Sequence, residues 1–174
     1  MEESELDIED FRRWALGALA ENRNRGIFAE WLVGRALEAI DDGAAREEWM
    51  PWDLQYRQNK IEVKASGQAW NPRPDPRFDI ACRKVSWDPA TNKKIYLDPP
   101  ARVADVYVFC LHTSMLATSS NVTDPTAWQF WVIPASGLDN KFGTQKTVRP
   151  ATLDRLARRV EWDQIKEAVD RLID

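Results

Sequence analysis

From Leu54 to Ala65 the chain alternates apolar with charged or polar side chains, on both sides of a Gln58-Asn59 pair. A period of two marks a pleated strand, because successive side chains point to opposite faces of a sheet. Asn59 suits a turn, since its short polar side chain tolerates left-handed backbone angles. The pattern predicts a hairpin with Gln58 and Asn59 as its two loop residues. In that register Arg57 faces Lys60, Tyr56 faces Ile61, Gln55 faces Glu62, Leu54 faces Val63 and Asp53 faces Lys64. Leu54, Tyr56, Ile61, Val63 and Ala65 then share one apolar face. Asp53, Gln55, Arg57, Lys60, Glu62 and Lys64 share the other, with Asp53 diagonal to Glu62 and within reach of one small ion.

Upstream, residues 7–21 carry Ile8, Phe11, Leu16 and Leu19 near helical spacing, an amphipathic helix. Asn22-Arg23-Asn24-Arg25-Gly26 breaks it, and a second, well-buried helix is expected from Gly26 to Ile40. Gly26 and Gly34 flank Glu30 on one line of that helix and allow close backbone approach. Downstream, Asn71 to Pro76 is a proline-rich connection that cannot join a sheet interior. A third strand is expected within Arg77–Lys84, then an excursion over residues 86–101 with a short strand around Lys93–Leu97. Val103–His112 is a continuous β-forming apolar run, the clearest buried strand. A polar loop over residues 113–126 and a strand at Trp128–Ile133, stopped by Pro134, come next. Residues 137–149 read as irregular, with an edge strand at Gln145–Val148. Thr152 and Asp163 can each cap a C-terminal helix, to about Arg159 and Leu172. The fold class is therefore α/β, one domain over residues 1–174, with a mixed sheet of about five strands flanked by N- and C-terminal helices.

The 174 residues, 30% of them charged, fit one soluble domain with a sizeable core. No apolar run approaches a membrane span, and the acidic N-terminus lacks the features of a signal peptide, so a cytoplasmic protein is expected. Cys82 and Cys110 read as reduced core thiols, and His112 as a core or strand-end histidine rather than a catalytic base. The nine tryptophans read as core or base-proximal packing. The net charge of −4 is uneven: residues 1–50 sum to −7, residues 51–94 to +4 and residues 95–174 to −1. The alternating hairpin thus lies in the basic segment, where a phosphate-binding face is expected. Arg57, Lys60, Arg73, Arg77, Arg83 and Lys84 are the candidate nucleic-acid contacts.

Two carboxylates a few ångströms apart repel when ionised and favour a divalent cation between them. All-oxygen ligands suit a hard ion such as Mg²⁺, or Mn²⁺ in its place, that recruits substrate phosphate. An ammonium beside the ion can orient a water or stabilise transition-state charge. Asp53, Glu62 and Lys64 supply these groups for metal-assisted phosphodiester cleavage, with Asp53 and Glu62 as metal ligands. On their own, such residues also describe a solvated sheet face with an exposed ion pair contributing about 0.2–1 kcal/mol.

At these positions the chain resembles the PD-(D/E)xK nuclease superfamily, of restriction-endonuclease-like fold. Asp53 matches the first acid and Glu62-Val63-Lys64 the E-x-K half of the motif. The resemblance runs over roughly residues 26–135 in the order of elements. It departs at Trp52, which separates Pro51 from Asp53 and removes the Pro-Asp doublet. It implies a further acid on the preceding helix, where Glu30 sits, and a glutamine after E-x-K, as in a group of small bacterial members, where Gln68 sits. Gln68 would hydrogen-bond a phosphate or a metal-bound water. The implied activity is a metal-dependent endonuclease acting on DNA. Many relatives pair as homodimers so that each monomer cuts one strand, although no exposed stripe that would seal a dimer is legible here. The alternative is a nuclease fold without turnover, serving as a nucleic-acid-binding or scaffold module.

Overall fold

The computed structural model describes residues 7–46, 50–67, 75–114 and 118–174. Its elements, in order, are α1 (Ile8–Leu16), α2 (Asn22–Ala36), β1 (Leu54–Tyr56), β2 (Asn59–Gly67), β3 (Phe78–Asp79), β4 (Arg83–Asp88), β5 (Lys93–Ala101), β6 (Val106–His112), α3 (Ser119–Val122), β7 (Trp128–Pro134), α4 (Ala135–Phe142), β8 (Thr147–Val148), α5 (Pro150–Leu153) and α6 (Ile165–Ile173). The fold is α/β, and no helix among the described residues is long and apolar enough to cross a membrane.

The main sheet has four strands in the order β1-β2-β6-β7. It is mixed: β1 pairs antiparallel with β2, β2 parallel with β6, and β6 antiparallel with β7. All seven residues of β6 are buried, as its unbroken apolar run requires of a strand covered on both faces. On one face Ile61, Val63, Val108, Cys110 and Phe130 pack against Leu32 and Val33 of α2 and Ile165 and Val169 of α6. On the other, Tyr107, Phe109, Leu111, Trp131 and Ile133 pack with Leu138 of α4, Leu153 of α5, and Phe78 and Val148. Trp162 donates from Nε1 to the Leu32 carbonyl (2.8 Å), which fixes the segment before α6 onto α2.

Several expectations are corrected. The sheet of about five strands has four, because the expected third strand pairs elsewhere. There Phe78-Asp79 joins Thr147-Val148 in a separate ribbon, and Arg83 opens a second ribbon in which β4 pairs with β5. The excursion is accordingly more regular than expected, with β5 nine residues long. Residues 135–142 form α4 instead of an irregular stretch, and Pro134, expected only to stop a strand, is that helix's N-cap. The helix expected from Thr152 to Arg159 is the single turn α5, with Pro150 at its start, and the polar loop after β6 contains the turn α3.

Helix α2 begins at Asn22, inside the segment that reads as a break. Its polar residues tie the preceding turn down: Asn24 Nδ2 donates to the Ala18 carbonyl (3.2 Å) and Arg25 Nη1 to the Ala20 carbonyl (3.0 Å). The apolar stripe of α1 is not buried; Phe11 is 58% and Trp14 84% exposed. Trp128 and Trp131 are buried, so the tryptophans divide between core and surface. His112 is a core residue, its Nε2 3.2 Å from the Asn121 carbonyl and its ring edge-on to Trp128. Cys110 is a buried free thiol, whereas Cys82, expected in the core, is only half-buried.

Gly26 and Gly34 play different parts. A Cβ on Gly34 would stand 2.2 Å from Ile40 Cδ1 and 3.3 Å from Leu54 Cδ2, whereas one on Gly26 would meet nothing within 4 Å. Gly34 is the close approach that lets α2 sit beside β1. Gly34→Ala should lower stability by about 1–3 kcal/mol through overpacking. Gly26→Ala should raise it by about 0.5–1 kcal/mol, because alanine is the better helix former. Urea unfolding of both variants checks this; equal effects would remove the assigned role of Gly34.

Candidate active site at the β1–β2 hairpin

The hairpin forms, but its register lies two residues from the expected one. Leu54 pairs with Ile61, Gln55 with Lys60 and Tyr56 with Asn59. The loop residues are Arg57 and Gln58, at φ +45° and +69°, the positive values that a tight primed turn demands of both central residues. Asn59 supports this turn from outside it, its amide donating to the Arg57 carbonyl (3.1 Å). Helix α6 holds the same register: Asp170 accepts from the Tyr56 hydroxyl (2.9 Å) and pairs with Arg57 (3.2 Å). A slip of two leaves every side chain on its expected face, because the face alternates with period two. It changes the neighbours, however. Continuing the ladder one step past Leu54 sets Asp53 against Glu62, not Lys64.

Asp53 is clamped where β1 begins. Its N–H donates to the Ile61 carbonyl (3.0 Å), and its Oδ2 accepts the Val63 N–H (2.7 Å). Glu62 lies in β2 beside Tyr107 of β6, with its side chain 3% exposed. Glu62 Oε1 accepts from Lys64 Nζ (2.6 Å) and from Arg83 Nη2 (2.8 Å). Glu62 Oε2 is buried without a hydrogen-bond partner. This excludes the solvated-face alternative for Glu62, since an exposed ion pair would leave its carboxylate in water. Lys64 is also largely covered, at 24% exposure.

Burial, then the neighbouring charge of Glu62, pushes the Asp53 carboxyl up to about 7; the Val63 N–H opposes the shift, and Glu30 adds to it. Glu30 of α2 therefore stands within electrostatic reach of Asp53, and both line one cavity of about 510 Å³. Arg46 grips Glu30 through Nε (2.6 Å) and Nη2 (3.1 Å). The hairpin thus sets Asp53 near Glu62 and Lys64, and α2 brings Glu30 to the Asp53 side of that group. Among the described residues no group of three or more His, Cys, Asp and Glu is arranged to hold an ion. Two carboxylates are what the site offers, a set that fits Mg²⁺ bound largely through water.

The candidate phosphate contacts do not form one set. Arg57 is neutralised by Asp170 and Asp174, and Arg77 by Asp75, which Arg149 also engages. Lys60 lies over the Trp52 ring (4.9 Å to its centroid), near the hairpin turn. Arg83 reaches the site itself, and Lys84 is exposed. Gln68 and Arg73 lie outside the described residues. Sequence reasoning missed Arg46, which sits in an acidic stretch with no motif to mark it, and Tyr107, which only the pairing of β2 with β6 places beside Glu62. No protein-family model matches the chain, and no curated protein matches it.

The raised Asp53 carboxyl has a thermodynamic consequence. Between about pH 4 and pH 7 the folded chain binds a proton that the unfolded one has released, so stability falls as pH rises through that window, by at most about 1.4 kcal/mol per pH unit from this group. Above pH 7 the buried carboxylate is charged and destabilising. Asp53→Asn, which keeps an acceptor for the Val63 N–H, should then be more stable than wild type at pH 8, and the difference should shrink steadily below about pH 7 and close by about pH 4. Thermal melts across this range check the sign; a constant difference would place the titration elsewhere.

Proposed function

We propose that the chain is a PD-(D/E)xK-type nuclease that hydrolyses phosphodiester bonds, most readily in DNA, with Mg²⁺ or Mn²⁺. The observation that carries this reading is the buried, unpartnered Oε2 of Glu62, an acid within electrostatic reach of the Asp53 carboxyl. An acceptor oxygen without a donor is costly in a protein interior, and a cation shared with Asp53 would satisfy it. The ion would supply Lewis-acid polarisation of the phosphodiester.

The chain's own groups divide the remaining tasks. Asp53 and Glu62 offer the anionic oxygens, and Asp53 must lose its proton before binding, so metal affinity should weaken below about pH 7. Lys64 keeps an ammonium within 2.6 Å of Glu62, positioned to orient water or to stabilise developing charge. Arg83 is the cation available for a substrate phosphate once it exchanges Glu62 for that partner. Glu30 raises the negative potential at Asp53 and is itself restrained by Arg46. Gln68 would assist from just beyond β2.

The same ion pairs favour a second reading. Arg83 on Glu62 and Arg46 on Glu30 already compensate two of the three acids. A nuclease fold that binds nucleic acid without turnover would keep such an arrangement permanently.

Substitutions separate the two. Asp53→Asn and Glu62→Gln should weaken Mn²⁺ binding in calorimetry, with cleavage partly restored by excess metal. Lys64→Ala should bind metal at least as tightly, since a nearby positive charge is removed. It should nonetheless lose about 10²–10³-fold in cleavage rate, as for removal of a charge-stabilising group elsewhere. Plasmid, linear duplex, single-stranded DNA and RNA, each with Mg²⁺, Mn²⁺ or EDTA, form the panel. Full cleavage by Lys64→Ala would withdraw its role. Absence of metal binding by the wild type, even with DNA present, would give the lead to the binding module.

A further inference from the structure

We propose that the β4–β5 ribbon is an arm that binds an unpaired nucleic-acid strand, with bases on Trp87 and Tyr96 and phosphates on Lys94, which shares their face, while Lys93 on the opposite face and Lys84 near the root add to the positive field. The inference rests on reading the adjacent acidic site as one that acts on nucleic acid.

The ribbon takes no part in holding the domain together. β4 and β5 pair with each other, and no residue of either belongs to the two core clusters. Three of its apolar side chains are largely in solvent, Val85 at 40%, Ile95 at 45% and Tyr96 at 78% exposure, and Trp87 is half-buried. The register pairs Val85 with Tyr96 and Trp87 with Lys94, so these four side chains share one face. An exposed ribbon carrying Val, Trp and Tyr invites association, and its chemistry defines the partner.

Charge narrows the choice. Arg83, Lys84, Lys93 and Lys94 lie on the ribbon with only Asp88 and Asp98 against them. Asp88 is engaged in the turn, accepting from the Ala90 N–H (3.0 Å) and the Thr91 hydroxyl (2.6 Å). Among the described residues none of the three lysines has a carboxylate partner, unlike Arg57 and Arg77. Aromatic faces beside Lys94, with Lys93 on the reverse side of the same thin ribbon, suit a polyanion that also presents flat π-surfaces. A duplex hides those surfaces in its stack, and an unpaired strand exposes them. The root of the ribbon meets the acidic site, where Arg83 donates to Glu62. Trp87, four residues along β4, lies about 13 Å from that root, so a strand lying along the arm leads to the two carboxylates.

Fluorescence anisotropy in EDTA, with the full chain, tests the arm apart from cleavage. The probes are an oligo-dT and an oligo-U of about 20 nucleotides, longer than the site of a typical single-strand-binding fold, and a duplex of the same length. Both single strands should bind more tightly than the duplex; a preference between them assigns the arm to DNA or RNA. Tyr96→Ala, a change at a solvent-exposed position, should weaken single-strand binding about tenfold and leave the duplex unaffected. Lys93→Ala with Lys94→Ala should flatten the slope of log affinity against log salt by about 0.7 for each phosphate that is no longer neutralised. Wild-type affinity in Tyr96→Ala, or a wild type that prefers the duplex or binds none of the probes, overturns the arm. The outcome is separable from catalysis. If Tyr96→Ala loses single-strand affinity while the wild type cleaves nothing with metal, the arm stands and the nuclease reading falls. If the wild type cleaves and Tyr96→Ala binds normally, the reverse holds.

Discussion

The parallel pairing of β2 with β6 is the constraint from which the candidate site follows. It runs through seven residue pairs, from Ile61 with Val106 to Gly67 with His112, and places β2 inside the sheet. Ile61 and Val63 go to the layer under α2 and α6; Glu62 and Lys64, one step out of phase, go to the layer of Tyr107 and Phe109. A carboxylate that would be ordinary on an edge strand thereby loses its water. Removing a carboxylate from water costs several kcal/mol even after relaxation, and Lys64 and Arg83 offset that on one oxygen only. The unpartnered Oε2 and the raised Asp53 carboxyl are two results of one topological fact: acidic groups at the first turn of the sheet are drawn below its surface.

The acids come from separate elements, so their convergence depends on packing as much as on the motif. Glu30 rides on α2, whose approach to β1 relies on the missing side chain of Gly34 and whose far side is tied to Trp162. Asp53 depends on hydrogen bonds to the strand that carries Glu62. At the end of β2, Gly67 admits the Arg25 guanidinium, which a Cβ would meet at 3.1 Å. Helix α2 is thus fitted to β2 at Arg25 and to β1 at Gly34.

What could be read from the sequence divides along physical lines. The faces of the hairpin, the burial of β6 and the grouping of Asp53, Glu62 and Lys64 were legible, because alternation and apolar runs are local patterns. The register was not, because Asn59 has the chemistry of a turn residue while the contacts of Tyr56 and Arg57 with α6 decide the pairing. Glu30 fell on the right helix, yet its partner Arg46 lies across a loop in a run of acids. The proline-rich connection at residues 71–76 lies mostly outside the described residues, and a third strand of the sheet was expected directly after it. Phe78-Asp79 instead pairs with Thr147-Val148, a contact between residues about seventy positions apart that no local pattern records.

Stability alone gives little reason for the cluster. A buried ion pair is often matched or exceeded by apolar residues of similar volume, whereas removing one partner is strongly destabilising. Phe109 and Tyr107 already form an apolar surface beside Glu62 and Lys64, on which two aliphatic side chains would pack without orphaned oxygens. The chain instead keeps one acid with an unpartnered oxygen, a second carboxyl held near neutrality, and cations within hydrogen-bonding distance. Elsewhere Trp131 Nε1 meets Asp154 and Trp128 Nε1 meets the Val122 carbonyl. The other unpartnered buried side-chain atoms among the described residues, Arg25 Nε, Arg102 Nε and Nη2 and His112 Nδ1, are nitrogens that offer a cation no anionic oxygen. At the hairpin Arg83 ties the β4–β5 ribbon to Glu62 and Asp170 ties α6 to Tyr56, yet these contacts leave Glu62 Oε2 without a partner. An electrostatically unfinished site on a fully paired strand is the condition in which a bound cation or phosphate would gain most, because the interior polarity that it requires is already in place.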